Sequence, residues 1–269
     1  MGRYDILFKT LSEKKEGAFV PFGLIGDPDL EQSFRVVEAM IDGGGDALEL
    51  GIPFSDPIAD GPVIQAAGRR ALASGTTPDL AFEFIERLRR KYPSIPIGLL
   101  VYANLVCRKG VNEFYSRAAE CGVDSVLVAD VPLFESAPFF RSGERFKVDT
   151  VFIVPPRVRE SSLRGIARIS RGYTYVLARS GVTGDRASLE LEDKDLFARL
   201  ANLGAAPCLV GFGISKPEHV RAVLDAGAAG AISGSAITRI VEKHLSNPEE
   251  MCATVKQFVA SMKDGTRFS

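Results

Sequence analysis

Eight times along this 269-residue chain a short apolar, β-branched run gives way to a polar turn and then to a segment of helical periodicity. The runs are GAFVPFGLIG (17–26), ALELGIP (47–53), IGLLVYAN (97–104), SVLVAD (125–130), DTVFIVPP (149–156), YTYVLAR (173–179), PCLVGFG (207–213) and AAGAISGS (228–235). Between them lie amphipathic stretches such as LEQSFRVVEAMIDGG, LAFEFIERLRRKY, VNEFYSRAAECG and KPEHVRAVLDAG, several of which close on a glycine at the expected helix end. Continuously apolar strands separated by helices form a parallel sheet covered on both faces. Eight such units in roughly 250 residues have the size of a (β/α)8 barrel. An open doubly wound sheet is the alternative, but no Gly-x-Gly-x-x-Gly follows the first strand. The expected fold is therefore α/β, a (β/α)8 TIM barrel forming one domain over residues 1–269. Two additions are expected: an extra N-terminal helix, YDILFKTLSEKK, closing the barrel bottom, and an extended loop after strand 2. That loop holds IPFSDPIADGP and an extra helical piece, VIQAAGRRALASG.

Composition excludes several classes of function. Hydrophobic residues make up 46% and charged residues 25%, and the net charge of -1 offers no basic field to nucleic acid or to an anionic membrane. No apolar run approaches the roughly 18 residues needed to span a bilayer. The N-terminus reads as an amphipathic stretch rather than a signal peptide. Cys107, Cys121, Cys208 and Cys252 form no Cys-x-x-Cys pair, as expected of reduced thiols in a cytoplasmic protein. With only His219 and His244, both in helical patterns, no His-based metal site and no Ser-His-Asp triad is expected, so acid–base chemistry falls to carboxylates or tyrosine.

Barrel enzymes place their chemistry at the C-terminal ends of strands and in the loops that follow. Strand alternation puts Ala47, Glu49 and Gly51 on one face and Leu48 and Leu50 on the other. With the leucines turned to the helices, Glu49 points into the barrel; unpaired burial would raise its pKa and make it a usable acid or base. The alternative is a carboxylate held by a Lys or Arg, or one capping a turn. Asp56 and Asp60 are either turn-forming acids in FSDPIADGP or further participants. LVGFGIS (209–215) and AISGSAI (231–237) end strands seven and eight with glycines and then open helices, which is where barrels commonly hold phosphate. No Lys or Arg accompanies these turns, so an anion would be held by amide dipoles. The loop RSGVTGDRASLELED (179–193), with Gly181 and Gly184, is either a lid or a plain connection. Tyr102 and Tyr175, on strands three and six, are candidates to line the pocket. Phe22, Leu100, Leu127, Ala129 and Ile153 read as barrel filling that would also suit a flat aromatic substrate.

Over essentially its whole length the chain resembles the tryptophan synthase alpha subunit family. The likeness is carried by EGAFVPF, GDP, DALELGIPFSDPIADGP, IPIGLLVYANLV, GVDSVLVADVP, GYTYVLARSGVTG, GFGIS and AGAAGAISGSAI, of which ELGIPFSDPxADGP is the most specific. The resemblance implies retro-aldol cleavage of indole-3-glycerol phosphate to indole and glyceraldehyde 3-phosphate. Indole then passes to a pyridoxal-phosphate beta subunit in an α2β2 tetramer, and the alpha chain has no cofactor of its own. By the same likeness Glu49 is the proton-transferring acid, and Asp60 stabilises positive charge on the indole ring. Phe22, Ile64, Leu100, Tyr102, Leu127, Ala129 and Ile153 form the indole pocket, with Tyr175 and Thr183 beside the substrate. Gly184, Phe212, Gly213, Gly234 and Ser235 hold the phosphate, while Asp56 and Asn104 face the beta subunit. Leu24 and Cys107 stand where the family more often carries Thr and a bulky aromatic.

Two other readings compete. An indole-glycerol-phosphate synthase would be expected to use a strand lysine, and none of the eight proposed strands contains one. A barrel that only binds and activates the beta subunit would have no need to keep Glu49, Asp60, Thr183 and both glycine turns.

Overall fold

In the computed structural model of the chain, residues 1–180, 189–190 and 195–267 are described. The strands are β1 (Ala18–Leu24), β2 (Leu48–Gly51), β3 (Ile97–Val101), β4 (Ser125–Val128), β5 (Asp149–Val151), β6 (Ile153–Val154), β7 (Thr174–Leu177), β8 (Arg179–Ser180), β9 (Leu189–Glu190), β10 (Cys208–Gly211) and β11 (Gly230–Ser233). Nine of them form one parallel sheet in the order β5-β4-β3-β2-β1-β11-β10-β7-β6. Its two edges, β5 and β6, are consecutive pieces of a single stretch interrupted at Phe152. β5 pairs with β4 and β6 with β7, so the sheet closes on itself through its fifth strand and the fold is a (β/α)8 barrel. β8 and β9 form a small antiparallel pair outside the barrel.

The helices are α1 (Arg3–Lys14), α2 (Leu30–Asp42), α3 (Pro62–Ala73), α4 (Pro78–Lys91), α5 (Ala103–Cys107), α6 (Val111–Glu120), α7 (Ala137–Phe146), α8 (Glu160–Ile169), α9 (Leu196–Asn202), α10 (Pro217–Asp225), α11 (Ser235–Lys243) and α12 (Pro248–Asp264). Their starts follow sequence signals: Asp29, Thr77 and Asn247 cap α2, α4 and α12 with side-chain oxygens, and proline opens α3, α4, α10 and α12. The expected extra helix after strand 2 is α3.

Side-chain alternation divides the buried apolar residues into two bodies. Leu48, Leu50, Leu99, Val101 and Val126 face outward, packed under the helices. Ala18, Val20, Phe22, Ala47, Leu127, Val151, Tyr175, Leu209 and Ile232 fill the barrel interior together with Tyr4 and Leu11 of α1. The N-terminal helix is thus a plug, as the sequence suggests. Tyr4 is buried, its ring lies 5.4 Å from that of Tyr173, and its hydroxyl is 3.1 Å from Ser125 Oγ. A Cβ at position 98 would come within 3.0 Å of the Tyr4 hydroxyl and 2.8 Å of Ser125 Oγ, so Gly98 makes room for the plug.

Ion pairs lock this bottom face. Asp124 accepts from Arg89 at 2.7 Å and from Arg3 of α1 at 2.8 Å, while Lys263 of α12 donates to Asp46 at 2.9 Å and lies 3.1 Å from Glu16. Tyr4→Ala should empty the plug and lower unfolding stability by about 3 kcal/mol in urea titration. A loss under about 1 kcal/mol would mean that the plug does not support the barrel.

Candidate active site

Glu49 points into the barrel, as alternation requires, with its neighbours Leu48 and Leu50 on the outer face. It is 1% exposed and pairs in register with Phe22 on one side and Gly98 on the other. The Tyr173 hydroxyl donates to Glu49 Oε1 at 2.6 Å. Burial raises the Glu49 pKa to about 7, and the tyrosine hydrogen bond pulls modestly the other way; no cation among the described residues contributes. A carboxyl poised there is ready to give a proton and to take one near neutral pH. Tyr173 itself is driven far above its usual range, first by burial and then by the Glu49 charge, so it stays a neutral donor. The sequence reading missed this tyrosine. Alternation along Tyr173, Tyr175 and Leu177 carried the signal, because whichever face holds Tyr175 also holds Tyr173.

Asp60 lies half-buried in the loop between β2 and α3. Burial raises its pKa, and a hydrogen bond with Tyr102 lowers it. The Tyr102 hydroxyl also accepts the Ala59 amide at 3.1 Å, and its ring stacks on Phe54 at 5.4 Å. Tyr102 therefore fixes the loop that carries Asp60.

Glu49 and Asp60 line one cavity of about 230 Å³, together with Phe22, Ile64, Leu100, Tyr175, Phe212, Gly213, Ile232, Gly234 and Ser235. A second lobe of about 400 Å³ shares Asp60, Leu100, Tyr175 and Phe212 and adds Ala129, Ile153 and Leu177. Most residues expected of an aromatic pocket thus meet in one place. Leu127 and Tyr102, both expected in the pocket, line neither lobe: Leu127 is buried in the interior beside Leu100, and the Tyr102 hydroxyl is engaged by the Asp60 loop. Tyr175 feels the charge of both Glu49 and Asp60, which adds to burial in raising its pKa. A Cβ at position 211 would sit 1.9 Å from its hydroxyl oxygen, so this ring placement requires glycine there.

The glycine turns of β10 and β11 close the other end of the cavity. Phe212 and Gly213 both have positive φ, 79° and 78°; for phenylalanine this is a strained conformation costing on the order of 1–2 kcal/mol. Two residues not singled out from sequence hold the turn. Ser233 Oγ donates to the Ile214 carbonyl at 2.6 Å, and the His219 Nδ1 lies 3.0 Å from the Gly213 carbonyl and 3.3 Å from the Ser215 amide. Gly234 is the N-cap of α11, whose first turn has no side-chain cap, leaving backbone N–H groups for an anion. One expectation fails. Arg239, one helical turn beyond Ser235, lines this cavity, so a cation does accompany the turns. Sequence spacing of four along a helix was the available signal.

Thr183, Gly184 and Gly181 lie outside the described residues. Asp56 is exposed on the loop after β2, and Asn104 is exposed on α5, which follows β3. No cluster of three or more His, Cys, Asp or Glu side chains suited to a metal occurs among the described residues.

Two variants test the electrostatics. Tyr173→Phe removes a bond that favours the carboxylate, so the titration of the Glu49 carboxyl, followed by 13C NMR, should move to higher pH; an unmoved titration would separate the tyrosine from the acid. The raised pKa of Glu49 has a stability consequence of definite sign. The folded state holds its proton up to about pH 7, whereas the unfolded chain releases it near 4.5, so the destabilisation is absent below pH 4.5 and complete above 7. Glu49→Gln should therefore stabilise the fold by roughly 3 kcal/mol at pH 8 and by much less at pH 5, read by denaturant titration. Equal effects at both pH values would show that the carboxyl does not ionise in the cavity.

Residues 8–267 match the family model for the tryptophan synthase alpha chain. The tryptophan synthase alpha chain of Escherichia fergusonii is 57% identical over 99% of this chain and 100% of its own, and that of Escherichia coli K12 is 56% identical over the same shares. Among solved structures, the Legionella pneumophila tryptophan synthase alpha subunit superposes with a TM-score of 0.88 at 27% identity, covering 98% of both chains. The tryptophan synthase α2β2 complex of Pyrococcus furiosus contains a chain matching with a TM-score of 0.84 at 35% identity, over 92% of this chain and 98% of that one. With the acids, the apolar cavity and the glycine turns assembled at one barrel mouth, these matches assign the chain to the tryptophan synthase alpha chain family.

Proposed function

We propose that Glu49 and Asp60 carry out the lyase reaction of this chain, the cleavage of indole-3-glycerol phosphate, with the indole ring in the apolar lobe and the phosphate at the β10 and β11 turns. The observation that carries the reading is Glu49: a fully buried carboxyl, poised near neutrality, in the same cavity as a second carboxyl and an anion-ready helix start. Protonated Glu49 delivers its proton to indole C3, which breaks ring aromaticity and leaves positive charge on the ring. Asp60, fixed by Tyr102, stabilises that charge near the ring nitrogen. The Glu49 carboxylate then takes the proton of the C3′ hydroxyl. As the carbonyl forms, the C3–C3′ bond breaks and its electron pair restores the aromatic ring. The products are indole and glyceraldehyde 3-phosphate, and Glu49 ends protonated as it began. Proton transfer suits a pKa near the working pH.

As a tryptophan synthase alpha chain the protein works with a beta subunit, to which the pyridoxal phosphate belongs; it carries no cofactor of its own. The partner face is the set of mouth loops after β2, β3 and β4. Ile58 and Phe134 in these segments are each 82% exposed, an apolar display unusual for open solvent, and Asp56 and Asn104 are exposed as well. No helix among the described residues is long and apolar enough to cross a membrane. We place the chain in the cytoplasm as one barrel domain, its four cysteines being free.

Glu49→Gln, nearly isosteric, should lower indole release by at least about 1000-fold with folding intact, and Asp60→Asn by about 100-fold. Assays of indole-3-glycerol phosphate cleavage with and without beta subunit read both. Turnover within a few-fold of the parent in the Glu49 variant would remove it from the chemistry.

A further inference from the structure

Two carboxyls, Glu49 and Asp60, share a cavity that must admit a phosphate ester, and such a group carries a charge of about −1.5 to −2 at pH 7. Backbone N–H groups at the start of α11 contribute partial charge only. Among the described residues lining the cavity, Arg239 is the one cation. It stands on α11 four residues after Ser235, hence on the same helical face, and side chains on a helix lean toward its N-terminus. Arg239 is an exposed residue and forms no ion pair with any described carboxylate. The nearest acid along the helix, Glu242, lies 3.3 Å from Arg70. A cation that belonged only to a solvated helix face would have no reason to line the cavity.

We propose that Arg239 is a phosphate-binding residue of this chain. It draws the dianionic end of indole-3-glycerol phosphate to the turns formed by Gly213, Gly234 and Ser235 and offsets its repulsion by Glu49 and Asp60. The inference rests on the reading of those turns as the phosphate site and adds the charge that they lack. Because the guanidinium touches the end of the substrate remote from the breaking bond, it acts on binding equally before and during the reaction, and its loss falls on KM. Its exposure makes the attraction sensitive to salt.

The test uses the complex with beta subunit and follows glyceraldehyde 3-phosphate formation. In Arg239→Gln, KM for indole-3-glycerol phosphate should rise about tenfold with kcat within about twofold, and product inhibition by glyceraldehyde 3-phosphate should weaken by the same factor. Arg239→Lys should recover most of the loss, since a point charge suffices at this distance from the chemistry. The parent KM should climb with ionic strength while that of Arg239→Gln stays nearly flat. Ser235→Ala serves as reference for the site itself. Weakened glyceraldehyde 3-phosphate inhibition in Ser235→Ala but not in Arg239→Gln would overturn the assignment of Arg239 and leave the phosphate site standing. Unchanged inhibition in both would mean that the site is misplaced, and the assignment would fall with it. A drop confined to kcat in Arg239→Gln would likewise overturn it.

Discussion

A carboxyl sealed in hydrocarbon with a tyrosine hydroxyl as its partner is the constraint to which the rest of this barrel answers. Glu49 has no cation to balance it among the described residues, so its charge is expensive and its proton is held to about pH 7. The surroundings keep it so. Phe22 and Gly98 flank it in register, Gly98 leaves room for Tyr4, and the α1 plug closes the barrel below. A lysine in place of Tyr173 would drop the pKa and fix the carboxylate as a base; an aliphatic residue would push it further up and leave an acid. Tyrosine, itself kept neutral by burial, sits between these outcomes. The plug helix thus helps to keep the acid buried from below.

The two ends of the barrel are built on different physics. The bottom is fastened by full charges in close pairs, Arg89 and Arg3 on Asp124 and Lys263 on Asp46 and Glu16, which tie α1, α12 and the strand starts together. The mouth has one two-pronged ion pair, Arg70 of α3 on Asp27 after β1 at 2.7 and 3.0 Å, and around the cavity itself the loops are joined by single hydrogen bonds. The Ala59 amide meets Tyr102, the Ala103 amide meets Asp130 at 2.7 Å, and Ser233 and His219 hold the turn after β10.

Much of this was legible in the residues. Eight strand–helix units gave the barrel, because parallel strands buried on both faces cannot hide their apolar runs. The period of two along Ala47–Gly51 turns Glu49 inward, and the ordinal position of the glycine turns points to the proposed anion site. What escaped notice depends on three-dimensional approach rather than on period. Tyr173 contacts Glu49 across 124 positions of sequence, and His219 reaches back under a turn from the helix that follows it. Closure through a fifth strand broken at Phe152 is likewise invisible in DTVFIVPP, where the apolar run is continuous. Arg239 lies outside the glycine turns themselves, and only the return of a helix to the same face after four residues links it to Ser235.

The placement of the two acids on unlike supports carries a last consequence. Glu49 rides on a central strand hydrogen-bonded on both sides, so its position is fixed by the barrel. Asp60 rides on a loop whose described ties are short-range bonds and the Tyr102 hydroxyl, and Tyr102 immediately precedes α5, which displays Asn104. The same loop carries Asp56 and Ile58 to the outside. A partner pressing on Ile58 and Asn104 thus bears on both supports of Asp60 while leaving Glu49 where the strands hold it. In the proposed mechanism proton transfer to the ring uses both carboxyls, so a contact that only steadies Asp60 would be enough to set the rate without touching the group that moves the proton.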